Sequence, residues 1–261
     1  MNTPKSLLDV IDLSLSFRHE NNWLQVLHNV SFSIREGEAF GLVGESGCGK
    51  TTTAKLILLL ETPTEGSIHF EGQDANTLNR AGRQNYKSSV QCVFQDPWAS
   101  LNPRMRAWKA VAEAFQVWRG MSRQQARLEA FGLLQAIGIS ESQARQFPKS
   151  LSGGQRQRVS ITRALAPGPK VLIADEPTSS IDQSAQSHLA NLLHRLQSER
   201  NLAILFISHD LALVRYMTSR VYVMQKGRIV EEGDTERILH RPGHPYTQLL
   251  LDSLPGRARQ L

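Results

Sequence analysis

Residues 44–51 read Gly44-Glu45-Ser46-Gly47-Cys48-Gly49-Lys50-Thr51, which satisfies G-x-x-x-x-G-K-[ST] at every fixed position. Residues spaced this way hold phosphate. The glycines let successive backbone N–H groups turn inward around phosphate oxygens. The helix expected to begin at Thr51 adds the partial positive charge of its N-terminus. Lys50 is expected to reach the β- and γ-phosphates, the Thr51 hydroxyl to ligate magnesium, and Thr52 to complete the phosphate-binding set. Cys48 fills a free position and is assigned no chemistry of its own.

A second group of residues supplies acid. Val171-Leu172-Ile173-Ala174-Asp175-Glu176 is an apolar run ending in two carboxylates. Asp175 at the strand tip suits the magnesium shell. Glu176 is placed to accept a proton from a water attacking the γ-phosphate. Acidic residues at a strand end often do no more than cap the next helix. Together with a phosphate loop, the pair points to hydrolysis of a nucleoside triphosphate.

These residues need a scaffold. Phe40–Val43, Val90–Phe94, Val171–Ala174 and Ala203–Ile207 are short apolar runs that each give way to polar or glycine residues. They read as buried strands of a parallel sheet whose ends carry function. The helix after the phosphate loop is predicted over Thr51–Leu60. Leu7–Phe17, Val26–Ile34 and Ser67–Glu71 suggest a flanking antiparallel sheet, and Val221–Met224 with Ile229–Glu232 a hairpin. Met121–Ile137 has helical periodicity. The fold class is therefore α/β: a nucleotide-binding core over about residues 1–97 and 157–235, an inserted helical subdomain over about 98–156, and a C-terminal tail over about 236–261.

Composition narrows the class. In 261 residues, 40 % are apolar and 21 % charged, the balance of an ordinary globular protein. The longest apolar run, Leu202–Ile207, falls far short of the about 20 residues a membrane span needs. Two cysteines, Cys48 and Cys92, provide no disulfide framework, so a reducing compartment is expected. The net charge of +6 suits phosphate, nucleic acid or an anionic membrane surface, and is equally met by a solvated basic exterior.

Leu151-Ser152-Gly153-Gly154-Gln155 separates this chain from kinases and GTPases. With that pentapeptide the chain resembles the ATP-binding subunits of ABC transporters over nearly its whole length. The resemblance implies ATP and Mg2+ as ligands. It assigns Gln95 to magnesium and the attacking water, Asp182 to the D-loop, and His209 to the γ-phosphate. The D-loop departs from the family pattern, with Ser180-Ile181 where an Ala-Leu pair is more common. Phe17 aligns with the aromatic that stacks on adenine, although a phenylalanine there could equally belong to the core. The resemblance also implies a head-to-tail dimer. In it, Ser152, Gly153, Gly154 and Gln155 of one chain face the phosphate loop of the other across ATP.

Phe94-Gln95-Asp96-Pro97 running into Ser100-Leu101-Asn102-Pro103-Arg104, and His244-Pro245-Tyr246-Thr247, resemble the oligopeptide, dipeptide and nickel uptake branch. That branch implies a second, different ATP-binding subunit, two permeases and a substrate-binding protein. It places the chain peripherally at the cytoplasmic face of the inner membrane, with no direct nucleic-acid contact. The cargo is expected to be peptide, the alternatives being nickel or another metal complex. A soluble ABC ATPase acting on nucleic acid or ribosomes is the rival class. With its two cysteines placed elsewhere, no iron–sulfur cluster is expected. Trp98 and Leu101 are expected to be apolar anchors for a permease helix, the plainer alternative being that they plug the base of the helical lobe.

Overall fold

The structure, a computed structural model, describes residues 6–19, 22–178, 181 and 183–253. The chain begins with β1 (Ser6–His19), β2 (Asn22–Arg35), β3 (Ala39–Val43), α1 (Lys50–Ile57), β4 (Glu65–Phe70) and β5 (Gln73–Asp74). It continues through α2 (Arg80–Ser89), β6 (Val90–Val93), α3 (Pro97–Ser100), α4 (Ala107–Arg119), α5 (Arg123–Ala136) and α6 (Glu141–Ala144). It ends with α7 (Gly153–Leu165), β7 (Val171–Asp175), α8 (Gln183–Arg200), β8 (Ala203–Ile207), α9 (Leu211–Met217), β9 (Arg220–Gln225), β10 (Arg228–Asp234), α10 (Thr235–His240) and α11 (Pro245–Asp252). Among the described residues no helix is long and apolar enough to cross a membrane.

Two compact units divide this chain, Met1–Arg83 with Ala203–Leu261 and Gln84–Leu202. In the first, β2-β1-β4-β5 form an antiparallel sheet. A second layer runs β10-β9-β3-β8, with β3 parallel to both β8 and β9. Every residue of β3 and of β8 is buried, as expected of parallel strands covered on both faces. Phe32 of β2 packs against Phe40 of β3 and Tyr222 of β9, with ring centroids 5.5 and 5.6 Å away. Arg220 closes this cluster at its edge. It makes a two-pronged ion pair with Glu38, at 2.9 and 3.1 Å, and stacks over Tyr222.

In the second unit β6 and β7 form a parallel pair, and α4, α5, α6 and α7 build a helical core around residues such as Val111, Phe115, Leu134, Ile139 and Val159. Local chemistry sets the starts of three helices. Ser122, Ser140 and Ser152 each cap a helix through Oγ, and each donates its own N–H to the side-chain oxygen of the glutamine three residues on. Gly120, left-handed at φ 63°, ends α4 and separates it from α5. The helix after the phosphate loop stops at Ile57 rather than Leu60. Leu59 adopts a left-handed φ of 54°, and Thr62-Pro63 cannot continue the helix. The region after residue 235 carries α10 and α11, and residues 254–261 lie outside the described part.

Candidate nucleotide-binding and hydrolysis site

In the first unit the buried strand β3 delivers the chain directly into Gly44. A side chain at Gly44 would collide with the Met224 carbonyl and lie 2.8 Å from Cys48 Sγ, and at φ 152° the backbone is one L-residues avoid. Gly49, at φ 115°, leaves only 2.6 Å between a hypothetical Cβ and Leu27 Cδ2. It caps α1 without any side-chain hydrogen bond, so the first-turn N–H groups keep their capacity for an anion. Lys50 is only 5 % exposed, and its ammonium donates to the Gly44 and Glu45 carbonyls at 2.7 and 2.8 Å. The lysine thus braces the loop it belongs to. A buried ammonium beside uncapped amides fits the polyphosphate of ATP. Burial pushes the Cys48 thiol up, opposed by the Lys50 charge, so Cys48 is a packing residue.

The parallel register sets Leu42 beside Ile207, so β8 ends along the same edge as the loop that follows β3. His209 is exposed just beyond that end. The turn is fixed by Asp210, whose N–H donates to Ser208 Oγ at 3.0 Å and whose carboxylate accepts the Ala212 and Leu213 N–H groups that open α9. Phe17 lies opposite Leu24 in the β1–β2 ladder and is 41 % exposed, so its ring is available for stacking and is not part of the core.

In the second unit the β6–β7 register pairs Val93 with Ala174, which brings Gln95 alongside Asp175 and Glu176. Asp175, the last residue of β7, is buried. Burial and then the Asp175 charge push the Cys92 thiol well above its ordinary range. Glu176 sits at φ 45°, a left-handed conformation that costs a non-glycine residue about 1–3 kcal/mol. Its Oε2 accepts from Gln95 Nε2 at 3.4 Å. The strained turn and the glutamine together aim the carboxylate.

Ser152 heads α7. Its Oγ accepts the Gln155 N–H at 3.3 Å while Gln155 Oε1 accepts the Ser152 N–H at 2.8 Å. Gly153 and Gly154 open the helix beneath them. Sequence reasoning missed Arg156. It donates to the Leu151 and Pro148 carbonyls that lead into the signature, and its guanidinium lies 4.0 Å from the centroid of the Trp98 ring. Ser100 adds a hydroxyl contact to Ser160 at 2.9 Å and accepts from Arg163 through its carbonyl. The segment after Gln95 is therefore strapped to the signature helix. Trp98 remains 47 % exposed, but Leu101 is 2 % exposed inside the helical core. The expectation that Leu101 is a surface anchor is corrected, because its side chain is buried in the apolar cluster of the helical core. Asp182 lies outside the described residues.

A strand–loop–helix phosphate cradle, an acidic strand end and a serine-capped Gly-Gly helix define an ATPase with a signature-bearing helical arm. The chain belongs to the ABC transporter family: residues 27–179 match the family's model, and residues 230–260 match the oligopeptide/dipeptide transporter C-terminal region. It is an ATPase coupled to transport. It is 44 % identical over 253 residues to the oligopeptide transport ATP-binding protein OppF of Streptococcus mutans, covering 96 % of this chain and 82 % of that one. It is 43 % identical over 261 residues to the dipeptide transport ATP-binding protein DppF of Lactococcus lactis, covering 98 % and 83 %. Among solved structures, the ATP-binding cassette MJ0796 in a dimeric post-hydrolysis state with ADP and Pi superposes at a TM-score of 0.79 with 29 % identity, covering 87 % of this chain and 98 % of that one. CbiO1 of Clostridium perfringens, part of the transporter complex cbiONQ, gives a TM-score of 0.79 with 27 % identity, covering 90 % and 91 %.

Proposed function

We propose that this chain is one of two ATP-binding subunits that power a peptide importer. The observation that carries the reading is the presence, in one chain, of the ABC transporter region and the oligopeptide/dipeptide transporter C-terminal region. Relatives named for oligopeptide and dipeptide transport support the cargo class. Its partners are a second, different ATP-binding subunit, two permeases and a substrate-binding protein, and its place is peripheral, at the cytoplasmic face of the membrane.

Gly44–Thr52 bind the ATP phosphates, with Lys50 neutralising charge on the β and γ groups. Thr51, Asp175 and Gln95 hold Mg2+, which supplies charge neutralisation on the phosphates when bound. Glu176 accepts the proton of the attacking water, and Gln95 holds the Glu176 carboxylate in line. His209 contacts the γ-phosphate, and Phe17 stacks on adenine. The signature residues Ser152, Gly153, Gly154 and Gln155 act on ATP held by the partner subunit, and Asp182 is the aspartate of the D-loop. ATP then closes the pair and hydrolysis reopens it.

Cells lacking the chain should lose uptake of labelled di- and oligopeptides and regain it from the parent gene but not from Glu176→Gln. Normal peptide uptake with lost nickel uptake would overturn the cargo. Copurification with nucleic acid rather than with membranes would overturn the importer reading itself.

A further inference from the structure

The phosphate loop is gripped by residues that follow it by about two hundred positions. The Glu45 N–H donates to the Tyr246 hydroxyl at 3.0 Å. The carbonyl of the same residue accepts from Lys50 Nζ at 2.8 Å. Lys50 Nζ also donates to the Gly44 carbonyl at 2.7 Å, so the Gly44–Glu45 peptide unit is fixed on its N–H side by α11 and on its carbonyl side by the phosphate-binding lysine. Tyr246 is only 5 % exposed, so its ring has little freedom.

Its placement is built in layers. Glu231 of β10 accepts the Gly243 N–H at 2.7 Å and the His244 N–H at 3.1 Å, which ties down the start of α11. His244 Nδ1 accepts the Tyr246 N–H at 3.2 Å, and Pro245 fixes the first helical position. The same hairpin reaches the loop directly, where Gly227 N–H donates to the Cys48 carbonyl at 2.8 Å. The loop is therefore held at Glu45 and at Cys48 by the segment following β8. Burial pushes the Tyr246 hydroxyl pKa up, opposed by its bond to the Glu45 N–H, so the group stays a neutral phenol.

We propose that Tyr246 is a positioning residue for ATP binding, holding the Glu45 peptide so that the phosphate loop and Lys50 are organised before nucleotide arrives. A loop already in its binding conformation avoids the ordering cost of binding. Removing the pin should weaken ATP binding without touching the hydrolysis step. This inference rests on the reading of residues 44–52 as the ATP phosphate site.

The test compares Tyr246→Phe and Lys50→Ala in the full chain, titrated with Mg-ATP. Loss of one neutral hydrogen bond corresponds to a Kd and KM raised about threefold to tenfold in Tyr246→Phe. Its kcat should change less than about twofold, because catalytic power lost only through ground-state binding appears in KM. The melting temperature without nucleotide should match the parent. A lowered melting temperature with unchanged Kd would make Tyr246 a structural clamp and overturn the proposal. Lys50→Ala separates the two levels. Lost ATP affinity there with a parent-like Tyr246→Phe rejects the positioning role alone, whereas parent-like affinity in Lys50→Ala rejects the phosphate-loop reading and the proposal with it. Should Tyr246→Phe fail to fold, amide exchange in the parent decides. The Glu45 N–H should be protected without nucleotide, and exchange at the rate of an open loop overturns the proposal.

Discussion

Gln95 Nε2 lies 3.4 Å from Glu176 Oε2, linking the residue that follows β6 to the residue that follows β7. The one-to-one register of those parallel strands produces the pairing, and the left-handed backbone of Glu176 turns the carboxylate toward it. The finding couples a residue assigned to the metal with the residue assigned to the water.

Glu176→Gln should retain ATP binding and lose turnover by about 10²–10⁴-fold, the usual worth of a positioned general base. The amide cannot accept the proton, yet it preserves size and hydrogen bonding toward Gln95. Phosphate release and nucleotide retention, measured on one preparation, test this. Turnover within a few-fold of the parent would reject the assignment.

Ser152→Arg should leave ATP binding to its own chain intact and abolish closure of the pair. The substitution also removes the cap of α7, at a cost of about 1 kcal/mol, so a modest drop in melting temperature is expected alongside. Light scattering with ATP in the Glu176→Gln background reads the closure. An ATP-dependent dimer that persists in the double variant contradicts action across the interface.

Leu101→Ala should destabilise the helical core by about 2–5 kcal/mol, as for other buried leucines. Trp98→Ala should cost far less, because it removes an exposed ring whose main partner is the Arg156 guanidinium. Chemical denaturation of both variants gives the contrast. Equal destabilisation would mean that the strap between α3 and α7 matters to the fold as much as the core does.

Acid should loosen the tail through Glu231. Burial raises the pKa of this carboxyl, but the hydrogen bonds it accepts, those from the Gly243 and His244 N–H groups among them, outweigh burial and hold it below the ordinary carboxylate value. A lowered folded value means the stabilisation is present above about 4.5 and is lost as pH falls through the folded pKa. Protease cleavage near residue 243 should therefore increase below pH about 4.5 in the parent. In Glu231→Gln it should be raised already at neutral pH. A parent-like cleavage profile in that variant would remove Glu231 from the anchoring role.

Much of this protein was legible in local sequence. The phosphate loop, the acidic strand end and the signature are contiguous; the chemistry expected of the first two follows from residue type and spacing, and that of the signature from the family resemblance. The buried strands β3, β7 and β8 announce themselves as unbroken apolar runs because both faces are covered. The end of α1 was not legible, because Leu56–Leu60 is uniformly apolar and the left-handed turn at Leu59 stops the helix before Thr62-Pro63 would.

What tertiary structure decided are the contacts between residues far apart in the chain. Leu101 among Pro, Asn and Ser looks like an exposed anchor, yet the packing of α4, α5 and α7 encloses it. Arg156 is one basic residue among several after the signature, and only folding sets it on Trp98. Tyr246 carries no local mark of its bond to Glu45. Side-chain type and spacing encode what a residue can donate, accept or bury. Which partner it meets depends on strand register and helix packing, and these are settled by the whole chain burying its apolar surface at once.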